Sequence, residues 1–138
     1  MQLKTLFTRF ALTACVAVAP ALAHADTYPS HPITIIVPAP PGGAIDIIAR
    51  LVGQKLTESM GQGVVVENRP GASNNLGTAL LAHAPHDGYT IGIVGGSHNI
   101  NKFLFKNLGW DPQKSFEPIV YTHVVPLVFA ITPQIPAK

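Results

Sequence analysis

Two short stretches of this 138-residue chain gather residue types suited to holding an anion. In Ala39-Pro40-Pro41-Gly42-Gly43-Ala44-Ile45-Asp46, two prolines stiffen a loop and two glycines leave its backbone bare. Glycine lets the main chain approach a ligand closely and adopt positive φ. Proline restricts the loop beforehand, so less entropy is lost on binding. A helix beginning behind the glycines would offer free N–H groups and a dipole that favour a carboxylate or phosphate. The same residues also suit a plain strand-to-helix turn with Asp46 as a cap, and pattern alone leaves both readings open. The second stretch is Gly95-Gly96-Ser97-His98-Asn99. Its hydroxyl, imidazole and amide are donors for an anion. Ser97 or Asn99 equally suits a helix cap, and His98 a loop facing solvent. A third corner, "NRPGASNN" at 68–75, reads as a connecting loop.

Enzyme signatures are weak. The chain has no G-x-S-x-G elbow, no G-x-x-x-x-G-K-S/T phosphate loop and no G-x-G-x-x-G fingerprint. Its six histidines are scattered, without a two-His helical spacing, so neither a metal nor another cofactor is expected. Asp46, Glu67, Asp87 and Glu117 fall in separate elements with no evident acid–base pairing. Ser97 beside His98 leaves one alternative, a secreted hydrolase with Ser97 as nucleophile and His98 as base. Adjacent residues rarely aim at each other, and no third orienting group is evident. The chemistry that remains is reversible capture of a small, anionic solute.

The elements that must position these corners alternate in period. "ITIIVPA" (33–39) is a continuous β-branched apolar run, the pattern of a strand buried on both faces. Ile45, Ile48, Ala49, Val52 and Leu56 then form a helical stripe, closed by Gly61 and Gly63. "VVVEN" (64–68) is a second strand of the same kind, and "LGTALLAHA" (76–84) a short helix stopped by "PHDG". "YTIGIVGG" (89–96) predicts the third strand, and "SHNINKFLFKNL" (97–108) is expected to start with a capped helical turn. "IVYTHVVPLVFAIT" (119–132) reads as strand-like, divided by Pro126. This order predicts an α/β fold, a mostly parallel sheet with helices on both faces and right-handed crossovers. In such a sheet ligands sit at the carboxyl ends of the strands, where both glycine corners fall.

The first 25 residues read as a secretory signal peptide. Lys4 and Arg9 precede the uncharged run "FALTACVAVAPALA", and "AHA" places small residues for cleavage after Ala25. The run is shorter than the ~20 apolar residues of a membrane span, and Pro20 interrupts it. Cys15, in "LTAC", is an alternative site of lipidation, with a stunted apolar region before it. Cleavage after Ala25 would leave no cysteine. It would also leave seven basic and seven acidic residues, removing electrostatic support for nucleic-acid binding. The expected location is therefore outside the cytoplasm, and a monomer is expected.

In order along the chain, "YPSHPITIIVPAPPGGAIDIIARLVGQKL", "GQGVVVENRPGASNNLGT", "APHDGYTI", "GSHNIN" and "WDPQKSFEPI" resemble the solute-binding receptors of tripartite tricarboxylate transporters, also called Bug-type receptors. The resemblance covers residues 28–138. It implies a type II periplasmic-binding-protein-like lobe, one of two in a periplasmic receptor that carries small carboxylates to a membrane permease. Residues 26–125 are then the first-lobe ligand-binding segment and 126–138 a crossover strand toward a second lobe, so the chain is expected to be a fragment, and a truncated fragment without function of its own is a further alternative. The resemblance places ligand contacts at Ala39, Pro41, Gly42, Gly43 and Asp46 in one turn. In the other it places Gly96, Ser97, His98 and Asn101. Gly42 and Gly43 would offer backbone N–H groups, and Ser97 and His98 side-chain donors. Three departures bear on ligand choice. Ala39 stands where the family has an aromatic. Ala44 and Ile45 replace a glycine and a hydroxyl residue, and "GASNN" replaces a more glycine-rich loop.

Overall fold

The structure, a computed structural model, describes residues 27–124, 126, 128, 130–132 and 134. The segment read as an export signal, Cys15 included, lies outside the described residues, as does most of 126–138.

Three strands and three helices alternate: β1 (Ile33–Val37), α1 (Ala44–Met60), β2 (Val64–Asn68), α2 (Asn75–Ala82), β3 (Thr90–Gly92) and α3 (Ser97–Leu104). The sheet is parallel in the order β2-β1-β3. Ile33 pairs with Val64, and Thr34 with both Val65 and Thr90, so all three strands end at one edge. The central place explains the sequence of β1. Ile33, Ile35 and Val37 are buried on one face and Ile36 on the other, consistent with the unbroken apolar run. Each fully buried aliphatic side chain contributes roughly 1.5–3 kcal/mol. β2 has a similar composition but lies at the sheet edge, where Val65 is 49% exposed.

The helices cover opposite faces. Ala49 of α1 is buried against Ile35, Val37 and Ile93, flanked by Ile45, Ile48 and Val52, the stripe read from its period. Gly61 ends α1 in the left-handed conformation, and its N–H bonds the Thr57 carbonyl. On the other face α2 approaches so closely that Gly77 has no room for a side chain. A Cβ there would lie 2.6 Å from the Arg69 carbonyl oxygen and 2.7 Å from Pro38 Cα. At the pole opposite the strand ends, Tyr28 donates to the Gly88 carbonyl, Ser30 N–H donates to Tyr89, and His31 stacks on Tyr89.

Two expectations change. β3 is only three residues, whereas the expected helical turn after Gly96 is present as α3, which ends at Leu104 where Phe105 turns extended. The strand-like run at 119–132 forms no strand among its described residues. Ile119, Val120, Tyr121 and Val124 are 74–80% exposed. A β pattern makes a strand only when a neighbouring edge pairs with its N–H and C=O groups. No described strand edge pairs with this one.

Candidate functional site

The first corner is built around Asp46, which is 3% exposed. It is the third residue of α1 rather than its cap. Gly43 holds the cap position with extended backbone and no side-chain bond. The Asp46 carboxylate reaches back one residue beyond the cap N–H that a capping-box acid takes, to Gly42. One oxygen accepts the Gly42 N–H at 2.8 Å and Arg50 Nε at 3.1 Å. The other accepts Asn68 Nδ2 at 2.9 Å and pairs with Arg50 Nη2 at 3.0 Å. Asn68 Nδ2 also donates to the Ala39 carbonyl at 3.1 Å, and Arg50 Nη2 donates to Asn68 Oδ1 at 3.0 Å. The corner thus has a frame in which Asp46, Arg50 and Asn68 hold both ends of the loop. The Arg50 hydrogen bond, then the Gly42 N–H and Asn68, lower the Asp46 pKa to about 2, against the opposing effect of burial.

This arrangement divides the glycines. Gly42 adopts φ 83°, and its N–H is spent on Asp46. The first helical bond runs from Ile47 N to the Gly43 carbonyl. Helical geometry therefore leaves the N–H groups of Gly43, Ala44, Ile45 and Asp46 without a helical partner, as the donors of this turn. Gly42, Gly43 and Pro41 are exposed, and Ala39 is half-buried beside the core. The Ile45 side chain turns inward, and a Cβ on Gly95 would meet its Cδ1 at 2.9 Å. The first and second corners therefore touch through Ile45 and Gly95.

The second corner opens α3. Gly96 is exposed at its cap, and neither Ser97 nor Asn99 makes a side-chain cap bond. Ser97 Oγ accepts a hydrogen bond from Asn74 Nδ2 at 3.0 Å. His98 turns away from Ser97. Its ring stacks on Trp110 at 5.2 Å and meets Phe116 edge-on at 4.8 Å. His98 Nε2 lies 3.2 Å from the Pro112 carbonyl, so in the neutral ring that nitrogen carries the hydrogen. His98 Nδ1 is buried without a partner among the described residues. Asn101, 3% exposed, spends its amide on the Ser73 carbonyl (2.8 Å) and Asn75 Oδ1 (2.7 Å). It anchors α3 to the β2–α2 loop.

The β2–α2 loop, read from sequence as a simple connection, is the third wall. Ala72, Ser73 and Asn74 all have positive φ, at 47°, 55° and 71°. Asn tolerates this conformation, whereas three successive non-glycine residues in it store strain. Arg50, Asn68 and Asn74 escaped the sequence reading, since their roles depend on neighbours in space. The one signal available was the Asn and Ser content of a turn. Among the described residues no group of three His, Cys, Asp or Glu side chains gathers for a metal.

Residues 48–138 match the family described as tripartite tricarboxylate transporter family receptor. The chain belongs to that family. Three solved structures resemble its fold. The periplasmic binding protein BugD shares 39% identity with a TM-score of 0.64, over 67% of this chain and 31% of that one. MatC from Rhodopseudomonas palustris, solved with malate, shares 36% identity with a TM-score of 0.61, over 66% and 31%. An R. palustris protein solved with adipate shares 38% identity with a TM-score of 0.58, over 62% and 29%. The chain spans about a third of the length of the curated relatives it matches. Receptors of this family are solute-binding proteins, and the parallel α/β architecture is the one expected from the sequence.

Proposed function

We propose that this protein captures a small organic carboxylate outside the cytoplasm and delivers it to the permease of a tripartite transporter. The observation that carries the reading is the convergence of two helix starts, α1 and α3, at one sheet edge, joined through Ile45 and Gly95. Both present N–H groups and positive dipole ends to the same side. Two structural neighbours hold the dicarboxylates malate and adipate.

In this reading Gly43 and Ala44 N–H groups receive the carboxylate, and Ser97 adds a hydroxyl donor. Gly42 shapes the turn through its positive φ, and Asp46 holds the loop rather than the ligand. Pro41, Ala39 and Gly96 line the approach. His98 and Asn101 support α3 from behind. Residues 1–25 act as a cleaved export signal, and residues 26–125 supply one lobe of a cleft. A second lobe reached through 126–138 closes over the solute. The receptor acts as a monomer and has no catalytic role.

Isothermal titration of the chain with malate, adipate and longer carboxylates tests this. Saturable heat with at least one acid is expected, accompanied by a rise in Tm with ligand concentration. Absence of binding across the panel would remove the proposal.

A further inference from the structure

Ser97 could be a poor ligand contact. A serine hydroxyl rotates freely, and with one hydrogen and two lone pairs it can equally well meet an anion with an oxygen lone pair. The β2–α2 loop removes that ambiguity. Asn74 Nδ2 donates to Ser97 Oγ at 3.0 Å, which occupies one lone pair and directs the hydroxyl hydrogen elsewhere. Among the described residues no acceptor takes that hydrogen. Ser97 is half-buried at the start of α3, so one side of it remains open.

The base of Asn74 is fixed as firmly as its tip. Its own carbonyl accepts both the N–H of buried Thr78, at 3.2 Å, and the Thr78 hydroxyl, at 2.8 Å. The preceding carbonyl, of Ser73, is held by buried Asn101 of α3, the helix that also carries Ser97. The loop therefore places three successive residues at positive φ and ties them to α3, with the result that one amide reaches one hydroxyl. Strain of this kind persists where the surroundings over-determine it, and it concentrates at functional sites.

We propose that Asn74 is a positioning residue for anion binding: by holding Ser97 Oγ as an acceptor, it presents the Ser97 hydroxyl hydrogen to the ligand's carboxylate. This rests on the reading of Ser97 as a ligand contact. Through Asn74 the departure "GASNN" bears on affinity without touching the solute.

A double-mutant cycle read by malate titration tests the pair. Asn74→Gly keeps the positive φ accessible while removing the amide. Ser97→Ala weakens malate binding about tenfold or more, the loss expected for a hydrogen bond to a charged group. Asn74→Gly weakens it about threefold to tenfold. The double variant binds as Ser97→Ala does, because without the hydroxyl there is nothing left to orient. In the ligand-free protein, Ser97→Ala shifts the Asn74 side-chain amide resonances. Additive losses in the cycle, or an Asn74→Gly variant binding like wild type, overturn the proposal. So does an Asn74 amide indifferent to Ser97→Ala. If wild type binds malate and Ser97→Ala binds it equally, the ligand role of Ser97 fails and the proposal falls with it. If wild type binds neither malate nor adipate while the Asn74 amide still responds to Ser97→Ala, the receptor reading fails although the hydrogen bond stands. The proposed role falls in that case too.

Discussion

Asp46 shows how a residue can frame a turn and have its own bonding capacity used up in doing so. Its two oxygens take four contacts from Gly42, Arg50 and Asn68, so it has little capacity left for a solute. Its carboxyl is held at about 2, below its ordinary 3.8, chiefly by Arg50. A depressed acid pKa contributes stability above the unfolded value and loses it as pH falls through the folded value. Asp46→Asn should therefore melt below wild type at pH 5, and the two melting curves should converge as pH falls toward 2. A constant gap across that range would mean the stabilisation is not ionic. Asn101 is the neutral counterpart. Asn101→Ala strands the Ser73 carbonyl and Asn75 Oδ1, and it should cost about 1–3 kcal/mol in urea unfolding. These roles were legible only in part. Asp46 stood out as an acid near a helix start, but Asn68 lies 22 residues on and nothing in its local sequence announces the bond.

At the scale of elements, close approach between α2 and β1 decides more than helix propensity does. Gly77→Ala would gain up to about 1 kcal/mol of helix propensity. The added methyl would overlap backbone atoms of Arg69 and Pro38, which cannot swing aside as a side chain can. Overpacking of this kind costs about 1–3 kcal/mol, so net destabilisation is expected. Gly63→Ala, where a Cβ would have open space, should leave the urea midpoint nearly unchanged. Equal effects of the two substitutions would refute the steric account. The elements themselves were largely readable, because the apolar period switches from strand to helix at Pro40–Gly43 and back at Gly61–Gly63. The run at 119–132 misled for a physical reason. Its composition matches a strand, yet strand formation needs a partner edge, which composition does not report.

For the described residues as a whole, one small parallel sheet leaves several large apolar side chains exposed. Phe103 is 79% exposed and Leu104 69% on α3, and Tyr121 80% beyond it. Such a surface binds hydrophobic dyes and promotes association. Phe103→Ser should lower dye fluorescence and light scattering while shifting stability by no more than about 0.5 kcal/mol. A marked loss of Tm would instead assign Phe103 to the core. The sequence by itself determined the parallel α/β class, the stripe of α1, the glycine corners at strand ends and the receptor family, because each is written in local order: period, turn residues and contiguous motifs. Only the tertiary structure decided which groups remain free for a ligand. It assigned the Gly42 N–H and Asp46 to each other, His98 to Trp110 and Pro112, and Asn74 to Ser97. Hydrogen-bonding capacity is finite, and which donors are already spent depends on partners that only the folded chain brings within 3 Å or so.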